Sequence, residues 1–305
     1  MRQPSIIGSL MNRRAARRGW SHSVASSGWG ESTHAELAWD KSRSAGTRWA
    51  VAGAVLGVLA GLVAFAPAAW LASGIAAATN QRLLLADARG TVWSGSAVPV
   101  LTGGPDSRDA SALPGRMEWT LGLQGLAFEL RARHSCCLNN TISLTFQPGL
   151  GRRTVKLVPP PGGWIGQWPS AWLSGLGTPF NTLQLRGALR LSTPGVLLES
   201  AEGRWRMQGR LDIEMVNASS RVSTLDTLGS YRLTLTGDPG SGGMTQINLS
   251  TTEGALQLNG NGTWGYGGVR FRGEAGAAGG DEAALSNLLN IIGKRHGARS
   301  VISIG

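Results

Sequence analysis

Hydrophobic positions follow two regimes along this chain. From Trp49 to Leu71 the residues are apolar without interruption, and no charged side chain occurs between Trp49 and Gln81. About 20 apolar residues at about 1.5 Å rise cross a hydrocarbon core of about 30 Å, which predicts one membrane-spanning helix over 49–71. Beyond Thr79 the apolar residues come instead in short alternating runs parted by Gly, Pro, Asn and Asp, the pattern of half-buried strands.

The alternation predicts a strand, a turn and a strand over Leu83–Leu101, then strands over Met117–Leu123, Leu126–Arg133, Thr141–Phe146 and Arg153–Val158. Further strands are expected at Leu183–Arg186, Ala188–Ser192, Val196–Glu199, Gly203–Val216, Ser230–Thr236, Thr245–Ser250, Ala255–Asn259, Val269–Gly273 and Ser300–Ile304. Ten or more short strands with hairpin-length links point to a large antiparallel sheet, curved or partly rolled. Two segments break the pattern. Trp164, Trp168 and Trp172 recur at spacing four, a helical period, and Pro169 suits the first turn of a short helix over Pro169–Leu176. Near the end, Asp281 is placed to cap a helix over 281–292 that carries Leu285, Leu288, Leu289 and Ile292 and stops at Gly293. The fold class is therefore all-β with minor helices: an N-terminal transmembrane helix followed by a large curved antiparallel sheet domain over 79–305.

Charge orients the span. Residues 1–48 hold eight basic side chains against Glu31, Glu36 and Asp40. They form a basic leader without apolar periodicity, expected to be disordered and to stay on the cytoplasmic side. A cleaved secretory signal is the competing reading, because Ala64-Phe65-Ala66 and Ala76-Ala77-Ala78 offer small residues at the spacing of a cleavage site. The apolar run is longer than a signal core and the leader longer than a signal's basic region, which favours the anchor. The net charge is +11, of which the leader supplies five units and the remainder six. Beyond the span the basic residues alternate with apolar neighbours, as in Leu130-Arg131-Ala132-Arg133, so they read as the solvated face of a sheet, with a surface for an acidic partner or anionic headgroups as the alternative, and no nucleic acid is expected as a partner.

The chain has two cysteines, Cys136 and Cys137, side by side. In an oxidising compartment they need a partner or protection, and a vicinal disulfide in a turn is favoured over two buried thiols. A metal site is not expected, since His134 is the sole nitrogen ligand nearby and no second Cys or His pair exists. Gly260-Asn261-Gly262-Thr263-Trp264-Gly265 has the letters of a dinucleotide-binding loop but joins strands, read here as a Gly-Asn-Gly turn, and opens no helix. No serine elbow accompanies the four histidines, and the acidic residues show no paired-carboxylate spacing. No catalytic residue and no cofactor are expected.

In order along the chain, Ala88-Arg89-Gly90-Thr91-Val92-Trp93-Ser94-Gly95, Leu113-Pro114-Gly115-Arg116-Met117-Glu118-Trp119, Gly187-Ala188-Leu189-Arg190-Leu191, Gly203-Arg204-Trp205-Arg206-Met207-Gln208-Gly209 and Ser230-Tyr231-Arg232-Leu233-Thr234-Leu235 precede a closing Leu288-Leu289-Asn290-Ile291-Ile292-Gly293 and Ser303-Ile304-Gly305. Behind a single anchor, this order resembles type II secretion system protein N over most of residues 49–305. The resemblance implies a non-enzymatic, single-pass component of the bacterial inner membrane with its C-terminal domain in the periplasm. It also implies contacts with the inner-membrane platform proteins or the secretin of the machine that exports folded proteins. The long leader departs from the family's short cytoplasmic tail. Arg116, Trp119, Trp93 and Trp205 are the first candidates for an interface, with a place in the core as the alternative for each. Exposed strand edges are a second way to engage a partner. A different class of function, lipid handling, requires that inward positions such as Leu121, Leu123, Leu144, Leu189 and Leu191 line an open groove; alternation permits either a closed core or a groove.

Overall fold

The computed structural model describes residues 30–305 apart from 202, 239, 241, 242 and 266, with side chains from residue 46 onward. The chain divides into two units, Met1–Ala60 and Gly61–Gly305. In the first, the described residues belong to helix α1 (Gly30–Ala64). Its stretch Gly46–Ala64 is long and apolar enough to cross a membrane, with its side chains turned outward.

Two expectations change here. The apolar run 49–71 is not one helix: α1 ends at Ala64, and α2 (Ala68–Ala78) starts after Pro67, whose φ of −63° and ψ of 145° are extended. Proline has no N–H for the i−4 carbonyl and its ring collides with the preceding turn, so the helix breaks there. Residues 30–48 of the leader, expected to lack regular structure, lie in α1; good helix formers such as Glu36, Leu37 and Lys41 carry the helix upstream of the apolar run. Residues 1–29 of the leader lie outside the described residues.

The second unit is one sheet of 16 antiparallel strands. Its strands are β1 (Leu83–Gly90), β2 (Ser94–Thr102), β3 (Ala110–Ala112), β4 (Met117–Gln124), β5 (Ala127–His134), β6 (Ile142–Pro148), β7 (Arg152–Val158) and β8 (Trp164–Pro169). After a 3-10 turn (Ser170–Leu176) and α3 (Phe180–Leu183) come β9 (Arg186–Ala201), β10 (Arg204–Ser219), β11 (Gly229–Gly237), β12 (Thr245–Glu253), β13 (Leu256–Gly265) and β14 (Gly268–Ala277). Helix α4 (Glu282–Ile292), β15 (Lys294–His296) and β16 (Arg299–Ile304) complete it. Neighbours follow sequence order, with β3 and β8 off the main path and β16 rather than β15 beside β14.

Such a meander alternates its links between the two ends of the sheet. The β1–β2, β4–β5, β6–β7, β9–β10, β11–β12 and β13–β14 links share one end, the hairpin rim. The long links β2–β4, β5–β6, β7–β9, β10–β11 and β14–β16 share the other.

Alternation assigns the faces. Cross-strand partners run Leu121, Leu130, Leu144, Leu157, Val196 on one face. They continue as Leu191, Ile213, Leu233, Leu249 further along. The opposite face carries cross-strand ion pairs, Arg133 with Glu118, Arg152 with Glu199, Arg232 with Glu214 and Arg299 with Glu274. These pairs are solvated and add little stability. A bulge in β9 keeps the apolar face continuous: Gly195 lies opposite Arg210 and Ser192 opposite Asp212, so one extra residue switches the inward positions from even (Val196, Leu198) to odd (Leu189, Leu191).

Each end of the path is closed by a helix. Ala68, Leu71 and Ile75 of α2 pack on Leu85, Ala97 and Trp119, and Leu285, Leu288 and Leu289 of α4 pack on Leu228, Tyr231, Leu256 and Ala275. Asp281 occupies the N-cap position of α4, but its side chain makes no capping bond; its backbone carbonyl accepts from Leu285 N–H instead.

The tryptophan segment also differs from expectation. Trp164 and Trp168 lie on β8, opposite Ser192 and Leu189, and only Trp172 lies in the 3-10 turn. A spacing of four is even as well as near-helical and so fits a strand too, but the register shift between Trp164 and Gly166 leaves the two rings opposite residues of different faces. Leu183 belongs to α3 rather than to a strand. Gly260-Asn261-Gly262 is not a turn but the middle of β13; a side chain at Gly260 would collide with the Phe271 ring of β14.

Leu285 is fully buried, so Leu285→Ala should cost about 2–5 kcal/mol, while Asn287→Ala on the exposed side of α4 should stay within about 0.5 kcal/mol. Urea unfolding of the detergent-solubilised chain checks this; equal midpoints for the two variants would show that α4 is not seated on the sheet.

Candidate functional site

An apolar concavity lies on the apolar face of the second unit. It is a cleft of about 530 Å³ lined by β9–β14, β16, α3 and α4, including Leu189, Ile213, Leu233, Leu249, Phe271 and Ile302. One sheet lines it from β9 to β16, which requires the sheet to bend around it. Leu288 and Ile292 bring α4 against its far end, and Val269 and Ile304 stand at the hairpin rim. The one hydroxyl in the lining, that of Tyr231, donates to the Leu256 carbonyl at 3.1 Å. Burial pushes the pKa of this phenol up, so it keeps its proton at physiological pH. The cleft thus offers carbon surface and no polar group free to react. It suits an apolar chain. Of the inward positions named from sequence, Leu189 lines the cleft, whereas Leu123 is exposed near the β4–β5 turn.

Three of the four candidate interface residues meet at one place. Trp93 Nε1 donates to the Val63 carbonyl at 2.7 Å, and Trp119 Nε1 donates to the Val92 carbonyl at 3.1 Å with its ring in the α2 core. Arg116 donates to the Asp87 carboxylate at 2.7 Å, to the Asp87 carbonyl at 2.6 Å and to Ser96. Asp87 sits at the bulge of β1 with φ of 49°, and hydrogen bonds from Arg89 and Arg116 hold its carboxyl below the usual carboxylate range. Trp93 therefore fastens the first hairpin to the end of α1, while Trp119 and Arg116 fasten β4 and the residue before it to that hairpin. Trp205 is not part of this cluster; it stands at the start of β10 on the hairpin rim, about half exposed.

Cys136 and Cys137 lie in the turn after β5, their sulfur atoms set against each other. The Cys137 carbonyl accepts from Gln167 N–H at 2.9 Å, and Gly166 of β8 packs so closely on this turn that no side chain fits there. His134 is buried beside them; its Nδ1 accepts from the Cys136 N–H at 3.2 Å and its Nε2 has no protein partner. The ligand atoms of His134, Cys136 and Cys137 all lie within 4.8 Å of one another.

The sequence pattern left open whether the apolar face is a closed core or a groove. The lining of the cleft comes from residues up to 124 positions apart, Phe180 to Ile304, and only the alternation of Leu, Ile and Val on seven strands hinted at it.

A chain with, among the described residues, one helix of spanning length ahead of one open antiparallel sheet that carries an apolar cleft is the class this geometry defines. The model of type II secretion system (T2SS) protein N matches residues 81–302, and the chain belongs to that family. It is a type II secretion component. No curated protein and no solved structure matches the chain.

Burial pulls the pKa of His134 below its usual value. Above about pH 6.5 both folded and unfolded chains hold it neutral; below that the unfolded chain takes up a proton that the folded chain resists, so stability falls as pH drops toward the lowered folded value. His134→Gln should therefore lose less of its urea midpoint than the parent chain between about pH 7.5 and about pH 5.5. Equal losses would mean that this imidazole titrates alike in both states.

Proposed function

We propose that this chain is a single-pass component of the bacterial inner membrane, with Gly46–Ala64 crossing the bilayer, the N-terminus cytoplasmic and the sheet domain periplasmic. It acts without catalysis, by contact with the inner-membrane platform proteins or the secretin, in the export of folded proteins. The observation that carries this reading is the family match over 81–302 on the same chain as one helix of spanning length. The excess of basic residues in the leader supports the orientation. In this oxidising location Cys136 and Cys137 form a vicinal disulfide; alkylation of the non-reduced chain should leave both unmodified, and modification of both would refute the pairing.

The test of function is where exported enzymes accumulate when the gene is deleted. Folded exoproteins should be trapped in the periplasm behind an intact outer membrane, and the full chain supplied in trans should restore export. Normal export in the deletion strain would overturn the reading.

The apolar cleft favours a second reading, in which the sheet shelters an acyl chain. Lipid extracted at about one equivalent from the purified chain, with normal export and a leaky outer membrane in the deletion strain, would establish that reading in place of the first.

A further inference from the structure

Large apolar side chains are exposed on the strands and links of the sheet at ten described positions, and eight of them lie toward the hairpin rim; Val158 and Trp164 lie away from it. Leu126 and Leu150 are 93% and 107% exposed, each following a glycine in a tight turn. Turn tips ordinarily carry Gly, Asn, Asp or Ser, and a leucine there has nothing in the domain to pack on. Trp205 adds an amphipathic ring at the start of β10. Between these apolar tips stand Arg152, Arg153, Arg204, Arg206 and Arg270, with Arg152 in its pair with Glu199 and Asp238 in the β11–β12 link.

The polypeptide enters the domain at this same end. Ala66 accepts from Val92 N–H at 2.9 Å, Val63 accepts from Trp93, and Pro67 pairs with Thr91, all at the β1–β2 turn. Ala64 is the last residue of the apolar stretch, so no spacer separates the end of the span from the rim.

We propose that the hairpin rim rests on an anionic bilayer surface, with Leu126, Leu150 and Trp205 in the boundary between headgroups and acyl chains and the arginines at lipid phosphates. The proposal rests on the reading that Gly46–Ala64 crosses the membrane. Chain continuity puts the bilayer at this end, and the charge matches an anionic leaflet. Aromatic rings and arginine stems are at home in that boundary, where apolar bodies are buried while polar ends stay wet. The arrangement also selects lipid over a protein partner. Strands spaced about 4.8 Å apart set successive tips about 10 Å from each other, as isolated points alternating with arginines, whereas a protein interface has a contiguous apolar centre. Val269 and Ile304 belong both to this rim and to the lining of the cleft, so the cleft meets the bilayer at its mouth.

The experiment uses the full chain in vesicles of phosphatidylcholine with phosphatidylglycerol, in a Cys136→Ala, Cys137→Ala background whose circular dichroism matches the parent. A nitroxide is placed by Leu126→Cys, Leu150→Cys, Val55→Cys in the span, or Asn140→Cys on the opposite end of the sheet, and its collisions with oxygen and with a water-soluble nickel complex are measured. The labels at 126 and 150 should show nickel accessibility several-fold below that at 140 with oxygen accessibility retained. Arg152→Gln with Arg153→Gln, or vesicles of phosphatidylcholine alone, should raise nickel accessibility back toward that at 140. Rim labels as accessible to nickel as position 140, with position 55 in the bilayer, would overturn the rim contact and leave the anchor standing. An aqueous position 55 would overturn the anchor and the rim contact together. Rim labels shielded from both reagents, to an extent that varies with the protein-to-lipid ratio, would assign the rim to a second copy of the chain and refute the lipid contact.

Discussion

The sheet depends on one bulge. Val196 and Leu198 of β9 face inward against β7, and Leu189 and Leu191 of the same strand face inward against β10. A regular strand cannot do both, because a shift of one residue turns every side chain to the other face. The extra residue between Ser192 and Gly195 reconciles them, and Thr193 fixes it: its hydroxyl donates to the Arg210 carbonyl and accepts from Gly195 N–H at 3.0 Å. Thr193 is buried, so neither bond is contested by water. The cleft on one side of this bulge and the first hairpins on the other share an apolar face only because of it.

The two helices that close the path divide the labour. At the start, α2 covers β1, β2 and β4 with small residues set against one large ring, Trp119, while Trp93 ties the hairpin to the point where the chain arrives and Arg116 ties the start of β4 to β1 and β2. At the end, α4 inserts three leucines but leaves a cavity below them, since Leu289 and Leu285 meet the β11–β14 strands while Ile292 and Leu288 overhang the cleft. Neither helix covers the central strands, where Leu144, Val155 and Leu198 are only half-buried. An open sheet with a partly uncovered apolar face is incomplete by itself.

Much of this was legible because periodicity is local. The strands from Met117 to Val158, the paired strands from Ser230 to Gly273 and the leucine face of the last helix follow from neighbours two or four residues apart. The solvated character of the basic residues followed from the same alternation, and the structure shows them paired across strands on the polar face. Signals that two periods share were misassigned: Trp164 and Trp168 lie on a strand, and Gly260-Asn261-Gly262 is a strand interior thinned to admit Phe271. Trp205 shared a motif style with Trp93 and Trp119 but stands apart from them, because sequence blocks do not record which end of an antiparallel sheet they reach.

By itself the sequence determined that an apolar segment precedes a β-rich domain, that the domain ends in an amphipathic helix, and, through the order of its glycine-bearing strands, which family it belongs to. Each of these is written in nearest neighbours or in linear order. The tertiary structure alone decided that Pro67 splits the apolar run and hands its second half to the sheet, that residues from seven strands enclose one cleft, and that Leu126, Leu150 and Trp205 stand at the end where the chain enters. These depend on strand pairing over many tens of residues, and pairing is set by which faces must be buried together, a quantity that no single segment contains.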